Sequence, residues 1–168
     1  MTARFVIEPL SAAHDRRRFQ CSHTKIDRYF HQIVTQDVRR NYATCYVGVD
    51  TATQRVAGFY TLSAHSIPLS EMPSEFTRRL PAYPNVPAVL IGWFGIDRDF
   101  QGQRLGSMLL FDAVSRVAHA SIGAHAIFAD AINDKAVSFY ERFGFLPLNT
   151  KPTTLFMPIS AAVRRLPE

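Results

Sequence analysis

Apolar side chains recur at a helical spacing between residues 24 and 40. Ile26, Tyr29, Phe30, Ile33, Val34 and Val38 stand at i, i+3, i+4, i+7, i+8 and i+12, which predicts one amphipathic helix. At about 100° per residue, an arc of about 80° on the other side holds Lys25, Arg28, Gln32, Gln36 and Arg39. No acid falls in that arc. It reads either as a merely solvated face or as a stripe that contacts phosphates.

The flanking segments predict the rest of the framework. Residues 4–7 read as a strand, and residues 9–20 as a loop with a short helix carrying Arg16, Arg17 and Arg18. Ala43–Asp50 and Arg55–Ser63 are β-rich runs on either side of a Thr/Asp/Gln turn, the pattern of an antiparallel hairpin. Residues 64–87 are broken by Pro68, Pro73, Pro81, Pro84 and Pro87. They read as a long connection with one helical turn at Ser74–Leu80, bearing Arg78 and Arg79.

Ala88–Ile96 then predicts a buried strand. A helix follows to about Ala120, with Leu105, Leu109, Ala113 and Val117 on one face. Ala124–Ala131 reads as a strand. Asn133 or Asp134 caps a helix to Phe143, and Gly144 suits its left-handed end. Phe145–Leu148 and Thr154–Ile159 are closing strands. Together these predict a mixed α/β (α+β) fold, a largely antiparallel sheet flanked by helices, with residues 1–168 forming a single domain.

Composition narrows the classes. The 168 residues are 47% apolar and 20% charged, which excludes a wholly disordered or fibrous chain. The longest mainly apolar run, Val86–Ile96, is interrupted by Pro87 and is far short of the roughly 18 residues of a membrane span. The first residues lack the apolar stretch of a secretory signal. Cys21 and Cys45 form neither a C-x-x-C pair nor a zinc spacing. A reduced, cytoplasmic protein without membrane attachment or bound metal is expected. The net charge is +5, and the cations are Arg apart from Lys25, Lys135 and Lys151. That balance fits a polyanionic partner and equally a soluble protein with positive charge.

The candidate chemistry lies at residues 88–120. A glycine-containing turn between a strand and a helix leaves backbone N–H groups directed outward at the positive helix end, an anion site suited to phosphate. Gly102 and Gly106 alone fit a structural turn as well. No Gly-Lys-Ser/Thr follows and no G-x-G-x-x-G is present, so neither a Walker A loop nor a dinucleotide fingerprint is read.

The run from Ile96 to Ser107 (IDRDFQGQRLGS) resembles motif A of the GNAT acetyltransferase superfamily, written Gln/Arg-x-x-Gly-x-Gly/Ala. Gln101 and Gly106 match, whereas Arg104 replaces the middle glycine. The run Asn133–Phe145 (NDKAVSFYERFGF) resembles the second signature, Asn-x-x-Ala-x-x-Phe-Tyr-x-x-x-Gly-Phe, almost completely. On the two together, in this order, the chain is identified as a member of the superfamily. Three further stretches resemble the toxin acetyltransferases of toxin–antitoxin pairs, the TacT/AtaT type. They are Phe19-Gln20-Cys21 leading into Ile26–Phe30, then Ala57–Ser63, and Tyr83–Gly92. Ser22 departs from the Cys-Gly usual at the first of these. The resemblance spans roughly residues 4–159.

It implies a GNAT fold and acetyl transfer from acetyl-CoA to the α-amine of aminoacyl-tRNA, which blocks translation. Backbone N–H groups at Phe94, Gly95 and Ile96 would hold the thioester carbonyl. Gln101, Gly102, Gln103, Arg104, Leu105, Gly106 and Ser107 would hold the diphosphate. Arg104 either tightens that loop or adds a charge toward the phosphates. Asn133 would contact the pantetheine arm or cap its helix. Tyr140 is the expected general acid, because a phenol is protonated at neutral pH and roughly matched to a thiolate leaving group.

No general base stands out, and His65 is only a weak candidate. An α-amine with a pKa of about 7.7–8.0 is partly neutral without one. Arg16, Arg17, Arg18, Lys25, Arg28, Arg39, Arg40, Arg78 and Arg79 could form a basic rim for the tRNA. The expected partners are aminoacyl-tRNA, a small ribbon-helix-helix antitoxin and a second copy of the chain. A small amine or a protein N-terminus as acceptor, and a non-catalytic acyl-CoA-binding module, are the alternatives.

Overall fold

The computed structural model describes residues 3–164; the outermost positions of the expected 1–168 domain lie outside the described residues. Seven strands are present: β1 (Phe5–Pro9), β2 (Thr44–Asp50), β3 (Val56–Pro68), β4 (Asn85–Ile96), β5 (Ala126–Asp130), β6 (Leu146–Pro147) and β7 (Thr154–Pro158). They form one sheet in the order β1-β2-β3-β4-β5-β7-β6. Helical segments are α1 (Thr24–Arg28), α2 (Val34–Arg39), α3 (Ser74–Thr77), α4 (Leu105–Ala118), α5 (Asp134–Phe143) and α6 (Ile159–Val163). The backbone divides into two compact units. One holds the residues up to Ser63 with Gly92–Ala113, and the other Ala64–Ile91 with the residues from Val114 on.

In the first unit β1 pairs antiparallel with β2 from Phe5↔Asp50 to Pro9↔Tyr46. β2 pairs antiparallel with β3, with a register shift between Gly48 and Val49. This is the hairpin that the alternation predicts. Its glycines admit α4: a Cβ on Gly58 would lie 2.9 Å from both Ile96 Cδ1 and Leu109 Cδ1. The core gathers aromatic rings. Phe30 stacks on Phe59 with centroids 4.0 Å apart, Phe19 meets both edge-on, and Tyr29 stacks on Trp93 at 4.2 Å.

The expected helix over 24–40 is present but not continuous. A π-helical turn, Tyr29–Ile33, separates α1 from α2. A π turn holds more residues than an α turn, so the face beyond it rotates. Ile33, expected in the core, is 37% exposed, while Val34 is fully buried. The short helix expected within residues 9–20 is absent. Four-residue turns (His14 N–H to Ser11 O, Phe19 N–H to Arg16 O) take its place. Arg16 docks that segment onto the helix, donating to Phe30 O at 2.5 Å and Thr35 Oγ1 at 2.8 Å.

In the second unit β4 and β5 run parallel, from Ala88↔Ala126 to Ile91↔Ala129. β7 is antiparallel to both β5 and β6. Phe128 and Phe156 stack at 5.8 Å, and Phe76 meets Phe156 edge-on, within a core that includes Ile67, Met72 and Leu148. The connection expected at 64–87 is shorter, because β3 continues to Pro68 and β4 begins at Asn85. A 3-10 turn at Leu69–Glu71 and α3 fill the interval. The terminal α6 was not expected. Among the described residues no helix is long and apolar enough to cross a membrane.

Candidate active site

Within the first unit β4 carries the chain to the glycine loop. Trp93 N–H donates to the buried Thr61 Oγ1 at 3.0 Å, and Asp97 N–H donates to Ala57 O at 2.8 Å. Both point to the β3 edge. Alternation along a strand therefore turns the N–H groups of Phe94 and Ile96 to the other edge, and that of Gly95 to the β3 edge. Of the three donors expected from the sequence, Gly95 thus faces β3, and Phe94 and Ile96 face the other edge. Gly95 serves packing: a Cβ there would come to 3.0 Å from Ile26 and 3.2 Å from Phe59.

The loop itself is held from inside and open outside. Gln101 turns back, its Nε2 donating to Ile96 O at 3.0 Å and Cys21 O at 3.4 Å. Gln103 donates to Asp99 O at 3.3 Å. Both amides close the loop. Leu105 is buried and pins the start of α4. Gly102 and Arg104 are exposed and both left-handed, with φ of +77° and +64°.

The first intrahelical bond of α4 is Met108 N–H to Arg104 O. The N–H groups of Leu105, Gly106 and Ser107 precede it and have no acceptor within the helix. Exposed loop backbone, a helix N-terminus and one arginine make a donor set that fits the diphosphate of acetyl-CoA. The departure at Arg104 keeps the backbone conformation that a glycine would supply.

In the second unit α5 carries the second signature. Asn133 caps it, Oδ1 accepting from Ala136 N–H at 2.9 Å, and Gly144 ends it at φ +110°. Of the two readings of Asn133, the structure shows the cap. Tyr140 is buried, its ring 5.3 Å from Phe139 and 5.4 Å from Phe145. Burial, reinforced by the charge of Asp130, raises its phenol well above the ordinary value. Tyr140 is therefore protonated throughout the neutral range. His65 packs edge-on against Phe128 at 5.5 Å.

The basic residues separate into engaged and open ones. Arg16 is bound to the helix as described, and Arg17 forms a two-pronged pair with Asp15 at 3.0 Å. Arg18, Lys25, Arg28, Arg39 and Arg40 are exposed on the first unit, and Arg78 and Arg79 are exposed on the second. Both acids of the 24–39 segment are engaged by hydrogen bonds. Asp27 accepts from Cys21 N–H at 2.8 Å, and Asp37 from Tyr29 OH at 2.9 Å.

Sequence reasoning missed the buried Asp97, its partner Arg55, and a polar cavity of about 560 Å³ lined by residues 12–17 and His31. The cavity is made by a docking that links residues far apart in the chain. No local spacing announces it.

A model of the acetyltransferase (GNAT) family matches residues 10–145. The chain is 30% identical to a probable toxin TacT of Sinorhizobium fredii, over 98% of this chain and 96% of that protein. It is 33% identical to a tRNA-acetylating toxin of Mycobacterium tuberculosis, over 88% of each. The solved structure of AtaT complexed with acetyl-methionyl-tRNAfMet superposes with a TM-score of 0.87 at 29% identity, covering 95% of this chain and 98% of that one. The seven-stranded sheet flanked by helices agrees with these matches, and the chain belongs to the acetyltransferase (GNAT) family.

Proposed function

We propose that this chain is a toxin-type N-acetyltransferase that moves the acetyl group of acetyl-CoA to the α-amine of an aminoacyl-tRNA in the cytoplasm. Likeness to a tRNA-acetylating toxin and to a fold solved with acetylated aminoacyl-tRNA supports the reading. The observation that carries it on this chain is the set of exposed cations Lys25, Arg28 and Arg39, with exposed Gln32 and Gln36, along the helical segment 24–39. A small amine needs no such surface, whereas an RNA backbone does. The same surface suits an acidic antitoxin segment, whose docking would exclude the tRNA.

Acetyl-CoA supplies an activated thioester. The loop Gly102–Ser107 binds its diphosphate through backbone N–H groups and Arg104. Phe94 and Ile96 N–H groups hold the thioester oxygen and stabilise the negative charge that grows there as the amine attacks. The new N–C bond replaces the C–S bond. Tyr140 gives its proton to the departing sulfur. The substrate nitrogen sheds its proton to solvent, which the low pKa of an α-amine permits, about 7.7–8.0.

Charge reversal at Lys25, Arg28 and Arg39 tests the carrying observation. KM for charged tRNA is expected to rise more than tenfold, with a shallower salt dependence and unchanged affinity for acetyl-CoA. An unchanged KM would remove the face from the account and favour a small acceptor.

A further inference from the structure

Asp97 is one of three buried polar or charged residues among the described residues, with Asp50 and Thr61. A carboxylate out of water has to be compensated, and its partners show what it joins. Oδ2 accepts from Gln20 N–H at 3.0 Å, Oδ1 accepts from Asp99 N–H at 2.9 Å, and Arg55 lies 3.5 Å from Oδ1. Arg55 also pairs with Asp99 at 3.0 Å and covers the ring of Phe100.

Asp97 thus sits where β4 ends and ties the 3-10 turn after it to a strap at Phe19–Cys21. The strap grips the same turn by further bonds. Arg98 N–H donates to Gln20 O at 2.8 Å, the Arg98 guanidinium meets Gln20 Oε1, and Gln101 reaches Cys21 O. His31 holds the strap from the helix side, Nε2 against Phe19 O at 2.8 Å. The next residues, Gly102–Ser107, form the donor loop, exposed at Gly102, Gln103, Arg104 and Ser107.

We propose that Asp97 is the positioning residue of the acyl-CoA loop. Its carboxylate locks strap and turn in one register, and that register aims the N–H groups of Gly102–Ser107. β4 does not depend on it for placement, because Trp93 and the Asp97 main chain are bonded to β3 independently. Removing the carboxylate therefore releases the loop rather than the strand. The proposal rests on the assignment of that loop to acetyl-CoA.

An Asp97→Asn variant keeps the shape but offers one acceptor oxygen where two N–H groups converge, and it loses the charge facing Arg55. Its affinity for CoA, by calorimetry, is expected to fall about tenfold, the scale of one buried hydrogen bond to a charged group. kcat at saturating acetyl-CoA and KM for charged tRNA are expected to stay within about twofold. Arg55→Met, which keeps the cover over Phe100, is expected to lose about threefold in CoA affinity in the same pattern. It decides the matter if Asp97→Asn does not fold.

Wild-type CoA affinity in the folded variants, or a lower kcat at unchanged affinity, would overturn the proposal and leave Asp97 a structural residue. Gly106→Trp separates the underlying reading. If that variant bound CoA normally, the loop assignment itself would fall, whatever Asp97 does.

Discussion

Ser22 and Arg104 share one backbone conformation: both are left-handed, at φ +77° and +64°, and both stand where the motifs they belong to carry glycine. The chain retains two glycine-type turns, just after the strap and at the start of α4, with residues that adopt them under strain. For a residue with a Cβ this costs about 1–2 kcal/mol.

Substituting Ser22→Gly or Arg104→Gly relieves that strain but adds freedom to the unfolded chain, about 0.5–1 kcal/mol. Each variant is therefore expected to be more stable by about 0.5 kcal/mol in urea unfolding. Arg104→Gly is further expected to weaken acetyl-CoA binding several-fold, because a cation beside the diphosphate is lost. Unchanged binding would reduce Arg104 to a loop-shaping residue.

Tyr140 combines burial with a polar group. Tyr140→Phe keeps the ring against Phe139 and Phe145 and removes the proton donor. kcat is expected to fall by about 10²–10⁴ with little change in KM for acetyl-CoA. Burial raises the phenol pKa, so the acid stays loaded across the neutral range. Tyr140 stays protonated in the folded state above the pH, about 10, at which the unfolded chain loses that proton. Its contribution to stability is thus present up to that pH and is lost as pH rises further. The rate at subsaturating charged tRNA should climb with pH as the α-amine becomes neutral, then stay level to about pH 10. An alkaline fall near pH 8 would argue against Tyr140 as the acid.

The π turn separates two neighbours that the helical period treats alike. Val34→Ala is expected to cost about 1–3 kcal/mol, since the side chain is fully buried, and Ile33→Thr under about 1 kcal/mol at 37% exposure. Equal costs in denaturant unfolding would mean that the helix runs through without the turn.

That pair marks the limit of what the pattern of residues could say. The period locates α1 and α2, the buried faces of α4, and the capped α5, because each repeats over several turns. It cannot register one extra residue in a turn, so it places Ile33 inward. The strap was legible only as a motif. Its bonds to Asp97, 77 positions away in the chain, and to His31 arise from packing. The end of β3 alternates, with Ile67 buried and Ser66 and Pro68 exposed. The prolines that follow masked it as a loop. The glycine loop and the α5 signature were legible because their chemistry needs particular residues at particular spacings.

Acetyl transfer to the α-amine of charged tRNA can be read directly with a labelled donor. Labelled acetyl-CoA should be incubated with charged and with deacylated tRNA, beside Tyr140→Phe. Label is expected on charged tRNA alone, released with the amino acid on mild alkaline deacylation and nearly absent with the variant. Label on deacylated tRNA, or none on either while CoA binding is intact, would rule out the α-amine as the acceptor.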